Sequence, residues 1–334
     1  MKSPLVSILL PVFNAEAYVA ESIQSLLAQT FTDFELIILD DGSTDQSVAI
    51  IQKFTDPRIR FFQQPTNQGL IVTLNSALDY VRGKYIARQD ADDLSLPERL
   101  AKQVELMEQN PTIGLCSSWI GFFDTNPTDY ALYAPPTSNE AIRAHLLWHC
   151  PVVHGAMMVR SHLLTGGSWV YEAAFPHAED YRLFAQMAQN EALVNLPEVL
   201  LMVRQHPAKV SQRFRVLQQQ STVAVQRSLL LQLGLKPTEA QMALHYQLYS
   251  GHLPQDRATL QAAAEWLGLV YEAARRTNYD LQALAVVMQQ MWGKLAAGQV
   301  GLDVWRLEKT LSFFQQKPWW YWPQLKRWAR HWMG

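Results

Sequence analysis

Residues 88–93 read RQDADD, setting Asp90, Asp92 and Asp93 within four positions directly after the apolar run Tyr85-Ile86-Ala87. Carboxylates held this close repel one another, and each resists ionisation when water is withdrawn. The residues alone allow two readings: a solvated acidic loop, or a loop built to receive a positive partner. Mg²⁺ or Mn²⁺ would be such a partner, since it takes one or two carboxylates and fills its shell with phosphate oxygens and water. Arg88 and Arg99 flank the loop; a salt bridge to the acidic run is the first use for each, a phosphate contact the second. Two further acidic stretches frame it, Asp40-Asp41-Gly42-Ser43 upstream and Glu179-Asp180 downstream. Asp before Gly and Ser also suits a turn. Paired acids also suit the first turn of a helix, where the dipole favours them. His145 and His149 stand four apart in HLLWH, which lacks the glutamate of a zinc-protease helix, so no zinc site is expected there.

These residues need a frame that brings distant loops to one edge. Val6–Phe13 is almost wholly apolar, as a strand buried on both faces would be. Strands are expected also at Phe34–Leu39, Ile59–Gln63, Lys84–Arg88 and Ile113–Ser117. Helices are expected between them, over 16–28 with Asn14 as cap, 45–54, 70–82 behind Gly69, and from Pro97 to Gln109. Strands alternating with helices imply right-handed crossovers and an α/β fold, a mostly parallel sheet flanked by helices. Ligands bind such sheets outside the carboxyl ends of the strands. Asn14, Asp40–Ser43 and Asp90–Asp93 all fall at those ends. No GxGxxG and no GxxxxGK[ST] follows the first strand, so neither a Rossmann dinucleotide site nor a P-loop is expected. From 120 to 210 the pattern loosens, with a helix near 138–148, a strand Val152–Arg160, a helix from Glu179 to 189 and a strand Val199–Arg204. Helical periodicity then takes over at 213–233, 237–249, 256–276 and 279–296. The expected organisation is an α/β domain over 1–210, with halves 1–120 and 121–210, and an α-helical C-terminal region over 211–334.

Composition narrows the classes further. Hydrophobic residues make up 49% of the 334 and charged residues 17%, which permits a sizeable core and argues against disorder. The formal net charge of −2 gives no global pull toward nucleic acid, and no binding module for it is recognised. Cys116 and Cys150 are the only cysteines, which suits a reducing compartment without a disulfide framework. The apolar run of MKSPLVSILLPVFN is too short for a signal sequence, and no run reaches the roughly 18 apolar residues of a membrane span. The segment 317–334 stands apart. Trp319, Trp320, Trp322, Trp328 and Trp332 are interleaved there with Lys317, Lys326, Arg327 and Arg330. Such a segment suits a membrane interface or a protein partner; it equally suits packing on the chain's own helices.

Read together, VSILLPVFN, FELIILDDGSTD and GKYIARQDADDLSLPERL resemble the nucleotide-sugar-binding half of a family 2 glycosyltransferase with the GT-A fold. The resemblance is strong over 4–120, continues weakly through HAEDYRLF at 177–184, and does not cover the helical region. It implies a hexosyltransferase-like enzyme that uses a nucleotide-diphospho-sugar, UDP-linked in the usual case. Asp41 would bind the base, with Pro11 and Phe13 lining its pocket. Asn67 and Gly69 would shape the ribose side, although capping the helix at 70 would serve them as well. In the motif Asp90-Ala91-Asp92-Asp93, Asp90 would reach ribose or metal, Asp92 would hold Mn²⁺ or Mg²⁺, and Asp93 would brace the loop. Asp180, beside Glu179, would be the general base of a direct, inverting displacement. His154 would lie near diphosphate, metal or acceptor, or be a hydrogen-bonded core residue. The acceptor implied is a saccharide or a lipid-linked glycan of bacterial polysaccharide synthesis in the cell envelope. The expected location is the cytoplasm, with 317–334 offering a peripheral seat at the inner face of the membrane. Two rivals remain: a nucleotidyltransferase, and a non-catalytic nucleotide-sugar-binding scaffold.

Overall fold

The computed structural model describes residues 3–166, 169–206, 214–250, 253 and 256–296, so the segment 317–334 lies outside the described residues. The chain divides into two compact units, one of Met1–Ile142 with Cys150–Val225, the other of Arg143–His149 with the chain from Gln226 onward.

The first unit is built on a sheet. Strands β1 (Val6–Val12), β2 (Phe34–Asp40), β3 (Ile59–Gln63) and β4 (Tyr85–Arg88) pair in parallel in the order β3-β2-β1-β4. Every residue of β2 and β4 is buried, which is why these strands read as largely apolar runs, with Glu35, Asp40 and Arg88 as their charged members. Helices α1 (Val19–Leu27), α2 (Ser47–Ile51) and α3 (Leu70–Leu78) make the crossovers. Past β4 the sheet becomes mixed. It continues through β8 (Met158–Arg160), β6 (Ile113–Phe123) and β9 (Ala192–Arg204) to β5 (Leu94–Ser95), with β7 (Ala131–Tyr133) hung on β6. The β6/β9 ladder is parallel and long, while β8 is antiparallel to both β4 and β6, so most paired residues lie in parallel ladders. Helices α4 (Arg99–Gln109), α5 (Asn139–Leu146), α6 (Ser161–Thr165) and α7 (Glu179–Met187) fill the connections. The core around β1 and β2 packs Ile8, Leu10, Leu36 and Ile38 against Ile23 and Leu26 of α1.

Several local expectations change. Val152–Arg160 is not one strand: a single 3-10 turn at His154–Ala156 precedes β8. A short apolar run does not distinguish a strand from buried irregular chain. Here the main chain at Gly155 presses so closely on the Asp90 and Asp93 carboxylates that a Cβ would meet their oxygens at 3.2 and 3.3 Å. Asn14 does not cap α1, whose cap position is Tyr18. Helix α4 starts at Arg99, after Glu98, two residues later than Pro97 suggested.

The second unit is helical. It holds the end of α8 (Arg215–Gln232), then α9 (Glu239–Ser250), α10 (Arg257–Ala274) and α11 (Leu281–Ala296). Asp256 caps α10 by accepting from the Thr259 amide at 2.8 Å. His245 is fully buried, stacked on Trp148 at 4.1 Å. Its Nε2–H donates to the Leu147 carbonyl at 2.8 Å while Nδ1 accepts from Trp266 Nε1 at 3.1 Å, which fixes one neutral tautomer. His145 and His149 face each other at 2.9 Å, and burial pushes His145 down to about 4.

Candidate active site

The carboxyl ends of β1 and β2 carry the first group of candidates. Pro11 and Phe13 follow one another across the end of β1, and the Phe13 side chain is nearly half exposed. Asn14 takes a left-handed conformation, φ 49°. This lets its amide donate to Ser43 Oγ at 2.9 Å while its Oδ1 accepts from the Thr44 amide at 2.9 Å, lacing the two loops together. Asp41 is buried, and its carboxylate receives the amides of Gln68 at 2.7 Å and Gly69 at 2.9 Å. Asp41 therefore meets the loop that carries Asn67 and Gly69. Gly42 makes that approach feasible: at φ +70° it lies so near that a Cβ would sit 2.6 Å from the Thr66 carbonyl carbon. Gly69 occupies the cap position of α3, and no side chain caps that helix, so Asn67 does not.

The end of β4 carries the second group. Arg88 is buried, and its two terminal nitrogens pair with both oxygens of Asp90. Burial opposes the guanidinium charge and Asp90 more than offsets it, so the Arg88 pKa is raised. The Arg88 Nε is buried without a hydrogen-bond partner among the described residues. Ala91 is buried, and the Asp90 carbonyl accepts from Ser22 Oγ of α1 at 3.1 Å. Asp93 points inward, where Oδ1 accepts from the Arg204 amide at 3.1 Å. Asp92 points elsewhere: its Oδ2 lies 2.8 Å from His206 Nε2. Arg204 holds this corner by donating Nε–H to the Asp92 carbonyl at 3.2 Å and pairing with Glu21, between the rings of Tyr18 and Phe123. Arg99 makes no carboxylate contact among the described residues. It is fully buried and donates to Ser95 Oγ at 2.9 Å and to the Arg88 carbonyl at 2.7 Å, and burial pulls its pKa down to about 10.

The third group surrounds the start of α7. Glu179 is buried and Asp180 half-buried, both in the first helical turn. Burial, then the adjacent Glu179 charge, pushes Asp180 up to about 7, against the Tyr181 amide that donates to its Oδ1 at 2.7 Å. Burial raises Glu179 as well, and Arg88 pulls both carboxyls the other way. His154 is buried, its Nε2 2.9 Å from the Tyr171 hydroxyl. Burial, with Arg88, holds the imidazole well below its ordinary range, and burial raises the Tyr171 hydroxyl, with Asp180 and Glu179 adding to it. Tyr171 is anchored to α3 through Asn75, which accepts from its amide at 3.1 Å and donates to its carbonyl at 2.9 Å. One buried cation, Arg88, thus acts on Asp90, Asp93, His154, Glu179 and Asp180 together.

Among the described residues no three His, Cys, Asp or Glu side chains gather as a metal cluster. Asp92 and His206 nevertheless make a carboxylate–imidazole pair, of which the carboxylate is the donor type that suits Mn²⁺ or Mg²⁺. Asp90 is committed to Arg88. Sequence reasoning missed His206, Arg204 and Tyr171. The available signal was positional, since His206 follows Arg204 just beyond the end of β9, the same sheet edge that the acidic loops occupy.

A mixed sheet with a parallel core and acidic loops at its carboxyl edge, followed in the chain by a helical region, is a fold of the GT-A type. Solved structures share this fold. TarS of S. aureus, residues 1–349 in complex with UDP-GlcNAc, superposes with a TM-score of 0.57 at 17% identity, over 93% of this chain and 91% of that one. A mannosyltransferase from Pyrobaculum calidifontis in complex with GDP-Man and Mn²⁺ superposes with a TM-score of 0.54 at 19% identity, over 95% and 86%. The model of the glycosyl transferase family 2 domain matches residues 7–164. An uncharacterized glycosyltransferase of Methanocaldococcus jannaschii is 33% identical over 224 residues, 66% of this chain and 77% of the relative. The chain belongs to glycosyltransferase family 2, and it is an enzyme of sugar transfer.

Proposed function

We propose that this chain moves a sugar from a nucleotide-diphospho-sugar, UDP-linked, to an acceptor hydroxyl with inversion, in the synthesis of a bacterial polysaccharide or lipid-linked glycan. The observation that carries this reading is a carboxyl, Asp180, raised to about 7 in the unit whose sheet edge presents the Asp92–His206 pair. A hydroxyl is a weak nucleophile until a positioned base of matched pKa takes its proton, and a carboxyl near neutrality suits that task. One such base allows direct displacement at the anomeric carbon, with no covalent sugar–enzyme bond. Asp41 and the exposed Phe13 ring offer the base of the nucleotide a polar and an apolar contact. Asp92 and His206 would hold a divalent cation, which would neutralise charge on the departing nucleoside diphosphate. Asp90, paired with Arg88, would reach the ribose or the cation. The ligands of the structural neighbours, UDP-GlcNAc in one and GDP-Man with Mn²⁺ in the other, are of the class proposed here.

Isothermal titration with UDP, with and without Mn²⁺, tests the reading directly. Mn²⁺ should strengthen UDP binding in the wild type, and Asp92→Ala should lose that gain, about tenfold or more, as loss of one metal-site interaction typically costs. Equal UDP affinity in the two proteins in the presence of Mn²⁺ would remove Asp92 from the metal site.

A further inference from the structure

Beside Glu179 and Asp180 lies a surface that the reaction as described does not use. His177, two residues before Glu179, takes a left-handed conformation at φ 62°, and with Asn14 it is one of two non-glycine residues at positive φ among the described residues. Such strain persists only where the surroundings fix it, and it gathers at functional sites. The surroundings here are explicit. The His177 carbonyl accepts from Gln218 Nε2 at 3.2 Å, and its ring stacks on Phe214 at 4.5 Å with the planes only 13° apart. Burial lowers the imidazole below its ordinary range, so near neutral pH the ring stacks as an uncharged aromatic. Phe214 keeps 37% of its surface exposed, and Val216 beyond it keeps 71%. The strained residue thus sets a flat, partly exposed aromatic pair immediately before the start of α7, which carries the candidate base.

We propose that the His177–Phe214 stack is a platform for the acceptor, seating a pyranose ring so that one of its hydroxyls faces Asp180. This rests on the reading of the chain as a sugar transferase with Asp180 as base. The axial C–H bonds of a pyranose form an apolar face with partial positive charge, which the electron-rich face of an aromatic ring attracts. The hydroxyls project equatorially and remain free to reach polar partners. A stacked pair is already ordered, so seating a sugar on it costs little side-chain entropy. Because His177 stands two residues before Glu179 and its carbonyl is held by Gln218 of α8, the platform and the α7 carboxyls keep a short, fixed spacing, which positions the attacking oxygen.

Saturation-transfer NMR on the full chain tests this, with methyl β-D-glucopyranoside and methyl 2-acetamido-2-deoxy-β-D-glucopyranoside at millimolar concentration as probes. Irradiating aromatic protein protons should transfer saturation to the ring protons of at least one probe in the wild type. Phe214→Ala should weaken probe binding about fivefold, the worth of one aromatic contact, and Phe214→Trp should retain it. UDP titration with Mn²⁺ on the same samples separates the two readings. Transfer absent from both probes while UDP binds, or transfer unchanged in Phe214→Ala, overturns the platform and leaves the donor site standing. Transfer that is lost in Phe214→Ala while UDP fails to bind upholds a saccharide site and overturns the donor reading instead.

Discussion

At the scale of single residues, the unusual group is Asp180. An aspartate exposed to water releases its proton near 3.8, whereas burial and the Glu179 charge hold this one up to about 7. Between those values the folded protein binds a proton that the unfolded chain has released, so this group's contribution to stability falls as pH rises from about 4 to about 7. The buried histidines titrate with the opposite sign. His145 and His245, pushed down to about 4 by burial, stay neutral in the fold while the unfolded chain takes up protons below its ordinary histidine value. Comparison with a variant isolates Asp180 from them. Asp180→Asn keeps an acceptor for the Tyr181 amide and removes the charge. It should melt at a higher temperature than the wild type at about pH 8, with the advantage shrinking toward about pH 5. The same variant should bind UDP normally and transfer sugar about 10²–10⁴ times more slowly. A melting difference that does not change with pH would deny the raised pKa, and near-normal turnover would remove Asp180 as the base.

At the scale of elements, what the sequence revealed follows from how each element is specified. Strands β1, β2 and β4 are buried on both faces, so their burial is written as largely apolar runs and is legible without tertiary information. The two residues of β5 are a strand because Leu94 and Ser95 pair with Met202 and Leu201, far away in the chain, and β7 is likewise defined by β6. No local pattern encodes such pairing. The acids of the site stood out because clustered charge is rare beside a buried strand. A single histidine after β9 or a single buried tyrosine carries no such mark, so His206 and Tyr171 emerge only once β9 and α3 are placed. Glycines are intermediate: the letters DDGS allow a turn, and the structure shows that Gly42 is needed because the Thr66–Asn67 main chain lies against it. Gly42→Ala should therefore lose about 1–2 kcal/mol from left-handed strain, and more from the clash. It should also lose UDP affinity as the Asp41 bonds to Gln68 and Gly69 are displaced. Gly234, at φ +81° with open space around its would-be Cβ, is the control. Gly234→Ala should show the strain penalty in a melt and bind UDP like the wild type. Equal UDP affinity in both variants would separate the close approach at Gly42 from the donor site.

At the scale of the whole molecule, the sheet unit carries the candidate site, and the composition of the sequence changes at 317–334. No helix among the described residues is long and apolar enough to cross a membrane. A lipid-linked acceptor would nevertheless require the enzyme to work at a bilayer surface, and five tryptophans interleaved with Lys317, Lys326, Arg327 and Arg330 are the composition that such a surface favours. The size of the effect follows from the charges. Each basic residue near an anionic surface contributes about 1 kcal/mol, so these four would supply up to about 4 kcal/mol, near a thousandfold in partitioning. The tryptophans would add a part that salt does not screen. The full chain should therefore co-sediment with vesicles of phosphatidylglycerol and phosphatidylcholine, and bind vesicles of phosphatidylcholine alone far less. Raised salt should weaken the first interaction without abolishing it, because screening acts only on the charges. Removing 317–334 should abolish binding to both while leaving UDP affinity intact. Equal sedimentation with and without the segment would assign its tryptophans to packing within the protein, and the acceptor would then have to reach Asp180 without help from this end of the chain.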